Sequence, residues 1–95
     1  MSVGGVRLSY DLKVRSQEAD VQQARYFQRV LTEQRVGLKA GLIRHTTLLT
    51  HAQLANDHWR MQFERGEIRA LELEERRVAS MLHALECRFR GLVGE

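Results

Sequence analysis

Residues 68–92 read IRALELEERRVASMLHALECRFRGL, and the placement of their apolar side chains decides the fold. Ile68, Leu71, Val78, Leu82, Leu85, Phe89 and Leu92 alternate three and four residues apart, with only Glu75 out of place. That spacing draws one narrow stripe along an α-helix, the heptad seam through which helices pack on one another. The chain contains no proline, so nothing of that kind stops the run. At about 1.5 Å per residue, a helix from Glu67 to Leu92 is about 39 Å long.

A second seam lies upstream. Ala24, Phe27, Leu31, Gln34 and Leu38 follow the same spacing, Tyr26 and Val30 widen the stripe, and Glu18 and Asp20 suit the positive end of a helix dipole. Gly37 and Gly41 mark a weak spot or bend, after which Leu48, Leu49, Ala52, Ala55 and Trp59 continue an apolar face. The two seams do not share a register. Carried forward, the first reaches Ala52, Ala55 and Trp59; carried back, the second reaches Leu54 and Met61. The phase slips between about residues 54 and 66, a stretch that holds Asn56-Asp57, suited to a turn or a fresh N-cap, and Gly66, another candidate interruption. Two helices folded antiparallel bury both seams and explain the slip, whereas one long helix needs a discontinuity. The expected architecture is all-α, a two-helix antiparallel hairpin or coiled coil over residues 16–95.

Ahead of it, residues 1–15 form an expected extended arm. Val6, Leu8, Tyr10, Leu12 and Val14 alternate with Arg7, Ser9, Asp11 and Lys13, a period of two that puts the five apolar residues on one face of a strand. Ser16 follows as an N-cap. A lone strand leaves its backbone groups unpaired, so this one would pair with a symmetry mate or add to a partner's sheet. The helical alternative rests on Val6, Tyr10 and Val14, four apart.

Ninety-five residues make one small domain. A thin apolar stripe cannot build a deep core at this size, which points to a protein partner or a second copy. The net charge is +3. Residues 1–45, with eight basic and four acidic side chains, carry +4, and residues 46–95, with seven and eight, carry −1. Thirteen of the fifteen basic residues are arginine, which favours ion pairing and phosphate contact. The first residues lack the pattern of a signal peptide, and no run reaches the ~18 apolar residues of a membrane span. With Cys87 as the single cysteine, the expected location is intracellular, cytoplasmic with nuclear as the alternative.

Signatures of chemistry are missing. There is no glycine-rich phosphate loop, no GxSxG and no HExxH. His45, His51, His58 and His83 are separated by six, seven and twenty-five residues, not the three or four that chelate on one helix. Cys87 has no CxxC partner and reads as a small semi-buried residue without a histidine beside it. Glu72, Glu74 and Glu75 precede Arg76-Arg77, the usual arrangement of solvated ion pairs on a heptad helix. The expectation is a non-enzymatic protein without cofactor or metal.

The leading expectation for function is an interaction or assembly module: an adaptor, scaffold component or small helical chaperone, in a homo- or hetero-oligomer. Ile68, Leu71, Val78, Leu82, Leu85 and Phe89 would form one side of its interface and Phe27, Leu31 and Leu38 the other. Trp59, the sole tryptophan, either plugs the hairpin end or anchors a partner. The alternative is a dimeric nucleic-acid-binding protein, with Arg7, Lys13, Arg15, Arg35, Lys39 and Arg44 as contacts. A strand followed by helices in a basic half is similar to ribbon–helix–helix repressors, which implies Arg7, Ser9, Asp11 and Lys13 facing the bases. The chain departs from that family in its long first helix and in lacking the short helix–turn–helix spacing.

Overall fold

The computed structural model describes the backbone of residues 3–93, and the surroundings of side chains 14–90. Two helices make it up: α1, Val3–Leu54, and α2, His58–Val93. Arg25 meets Phe89, Arg35 meets Glu75 and His45 meets Glu64, so the helices run antiparallel in the expected hairpin. The molecule is a rod of 83 × 18 × 15 Å.

The reversal takes three residues. Asn56 adopts φ 55°, a left-handed conformation that asparagine tolerates better than most residues. Its N–H donates to Gln53 O at 3.1 Å, and the Asp57 N–H donates to Ala52 O at 2.9 Å. This crossed pair of bonds closes a helix C-terminus by satisfying carbonyls that α1 leaves open. Asp57 then starts α2: its Oδ1 accepts from the Arg60 N–H at 3.1 Å and its carbonyl from the Met61 N–H at 3.0 Å. The Asn56-Asp57 turn and the fresh cap expected from the sequence are thus one device.

The N-terminal segment differs from expectation. Residues 3–15 are helical and continuous with α1, so the extended arm with a strand over Val6, Leu8, Tyr10, Leu12 and Val14 is not formed, and the helix passes Ser16 without a cap. The physical reason is local. A strand must find its backbone partners on another strand, whereas a helix makes them within itself, and no proline opposes its growth from residue 16 backward. The side chains of residues 1–13, including Arg7 and Lys13, lie outside the described residues.

Gly37, Gly41 and Gly66 also sit inside continuous helix, so neither the bend nor the second interruption occurs. Gly41 has a packing reason. A Cβ at that position would stand 3.3 Å from Leu71 Cδ1, so the missing side chain lets the helices approach. In α2 the inward stripe is Met61, Glu64, Ile68, Leu71, Glu75, Val78, Leu82, Leu85 and Phe89, every one buried or half-buried. In α1 it is Ala24, Leu31, Arg35, Leu38, Leu42, His45, Leu49 and Ala52.

Candidate interaction surface

Two charged residues interrupt α2's stripe, and α1 answers each one. Glu75 Oε1 accepts from Arg35 Nε at 2.8 Å, at a half-buried position. Glu64 is 2% exposed, and its Oε2 lies 2.5 Å from Nδ1 of His45. The spacing between the acids on α2 nearly matches that between the bases on α1, so a slip by one turn would leave buried carboxylates unanswered. These pairs therefore fix the rotation of each helix, and with it the faces left to solvent. They also correct the α1 seam. Gln34, expected inward, is exposed and Arg35 takes its place, because Glu75 across the interface demands a cation.

Of the expected interface residues, Leu31, Leu38, Ile68, Leu71, Val78, Leu82, Leu85 and Phe89 meet within the hairpin. Two point away from it. Phe27 is 46% exposed and Trp59 is 75% exposed. Trp59 stacks on Phe63 with centroids 5.8 Å apart and does not plug the hairpin end.

Outward apolar groups stand on several faces, among them Val36, Ile43, Leu54 and Leu73, and one side gathers hollows between the helices. Phe27, Val30 and Leu31 of α1 with Met81, Ala84, Leu85 and Arg88 of α2 line an open hollow of about 530 Å³. Toward the turn, Leu48, His51, Ala52, Ala55, Asp57 and Arg60 line a second hollow on the same side. A third, lined in part by Ala24, Phe27 and Leu85, continues the first. Each position is adjacent to the inward stripe or one turn from it, on the edge where both helices face the same way. Phe63 lies on this side as well, one turn from Arg60, and is 49% exposed. The opposite edge carries Arg25, Thr32, Lys39, Thr46 and Gln53 on α1 and Arg65, Glu72 and Glu86 on α2. Val36 and Ile43 are exposed beside this polar row, one turn from Lys39, and Glu67, Glu74 and Arg77 stand among the apolar groups of the hollow-lined edge.

Among the described residues, the cations expected at nucleic acid, Arg15, Arg35, Lys39 and Arg44, do not gather. Arg35 is engaged with Glu75. Lys39 and Arg44, five residues apart, point about 140° away from each other on α1, and Arg15 lies far along the same helix. Cys87 is exposed, not semi-buried, and its Sγ lies 3.9 Å from His83 Nε2, a neighbour that the four-residue spacing carried and the linear reading missed. Two donors fill half of a tetrahedral metal site, and among the described residues no group of three or more metal-ligating side chains occurs. Within those residues no helix is long and apolar enough to cross a membrane.

No protein-family model, curated protein or solved structure matches the chain.

Proposed function

We propose that this chain is a non-enzymatic interaction or assembly module, of the adaptor, scaffold or small-chaperone kind, that binds another protein along the apolar edge of its hairpin. The observation that carries this reading is exposure. The chain presents 7788 Å² to solvent, where a compact monomer of its 11.0 kDa presents about 5,600 Å². The excess of about 2,000 Å² is spread over an elongated rod, including the part of α1 that α2 does not reach. Among the described hydrophobic residues only Ala24, Ala52 and Val78 are fully buried, while Phe27, Trp59, Phe63 and Met81 stand in solvent. Aromatic side chains and methionine so placed are the composition of binding cores. The cytoplasm is the proposed location, from the single, free cysteine.

Site-specific photo-crosslinking in cells tests the reading. p-Benzoylphenylalanine at position 27 or 63 is expected to trap protein adducts, and the same probe at Thr32 or Arg69, on the polar side, is not. Adducts from all four positions alike, or from none, would sink it.

A further inference from the structure

We propose that the occupant of the apolar edge is a second copy of this chain, docked antiparallel to make a four-helix bundle. This rests on the reading just given and names its partner. The argument is the symmetry of the edge. On α1, Val30 and Leu48 lie nine residues either side of Lys39; on α2, Phe63 and Met81 lie nine residues either side of Glu72. Lys39 and Glu72 are within one residue of the same level of the rod, in the register set by the Arg35–Glu75 pair. A two-fold axis across the rod at that level turns one hairpin end for end. It carries Phe63 of one copy onto Met81 of the other and Leu48 onto Val30. The hollow between Phe27 and Met81 then receives the aromatic side chain of the partner's Phe63, and the exchange is reciprocal, as an isologous interface requires.

The centre of the edge fits the same operation. Gly37 has nothing within 4 Å of the position its Cβ would take, and with Gly41 and Ala70 it leaves a stretch of small residues beside Glu74, which meets Arg77 of its own chain at 3.7 Å. Glu67 and Arg77 lie five residues either side of Glu72, so the axis sets each copy's Glu67 against the other's Arg77. An acid and a base exchanged this way attract twice, and a parallel arrangement loses both pairs.

Cys87, the only cysteine and exposed away from this edge, offers a native position for a spin label. It lies fifteen residues from Glu72, so the antiparallel pair separates the two labels by about 45 Å along the rods at ~1.5 Å per residue. Light scattering on the whole chain is expected to give twice 11.0 kDa, and pulsed electron–electron resonance a single distance near 45 Å. Phe63→Glu and Met81→Glu should each halve the mass while circular dichroism stays helical, since both side chains stand outside the internal seam. A monomeric wild type overturns the proposal, as does a dimer whose labels lie within about 25 Å, the parallel case, or one that both variants leave intact. If the wild type is monomeric while probes at 27 and 63 still trap a different protein, the second-copy inference falls and the interaction reading stands.

Discussion

Glu64 occupies an inward position of α2 that a leucine would fill in a plain coiled coil, and it is 2% exposed. A carboxylate so buried is tolerable only because His45 meets it, and removing one partner leaves the other desolvated and alone. Glu64→Leu or His45→Leu is therefore expected to lower unfolding stability by about 1–3 kcal/mol in a urea titration. The double replacement should recover most of the loss, because two apolar groups of similar size pack without a polar debt. Additive losses would show that the pair is not coupled. Arg35 and Glu75 are more solvated, and Glu75→Ala should cost at most about 1 kcal/mol. These residues also mark what the linear pattern could and could not show. Glu75 announced itself as a break in an otherwise apolar series, yet its partner stayed hidden, since finding Arg35 requires the register of the second helix. Glu64 was invisible for a related reason: it lies in the stretch where the seam phase was in doubt. His83 beside Cys87 is legible from the four-residue spacing alone.

At the scale of the element, the turn carries the hairpin. Asp57 caps α2 through its side chain while its own N–H closes α1. Asp57→Ala is expected to cost about 1 kcal/mol, the usual value of an N-cap, with a matching fall in the thermal midpoint. Gly66 lies in mid-helix with open space around it, so Gly66→Ala should gain about 0.5–1 kcal/mol by narrowing the freedom of the unfolded chain. A loss there instead would mean that the position meets something in solution that the lone hairpin does not show. Helix type, the reversal and its capping residue were legible because each rests on a local preference. The strand over residues 6–14 was misread because alternation tells only which face a strand would bury, not whether a pairing strand exists.

Over the whole molecule the two helices are unequal. Four residues beyond Phe89, which lies against Arg25, Val93 comes level with Val21, so α1 continues without α2 beside it over residues 3–20. The proposed antiparallel second copy would not reach this overhang either, because its turn would come level with Gln22. Each end of the assembly should then carry a bare helix of about 27 Å, and the longest dimension should be about 110 Å by small-angle scattering, against 83 Å for one hairpin. An isolated helix of that length is marginal in water and adds little to a cooperative transition. A chain that starts at Val14 is accordingly expected to keep the doubled mass, to shift its thermal midpoint by no more than about 2 °C, and to shorten the particle to about 80 Å by losing eleven described residues at each end. If the truncation instead halves the mass or lowers the midpoint by ten degrees or more, residues 3–13 pair with the other copy. The intermolecular arm first read from their alternating pattern would then be the element that holds the assembly, and the apolar edge would be left for a different partner.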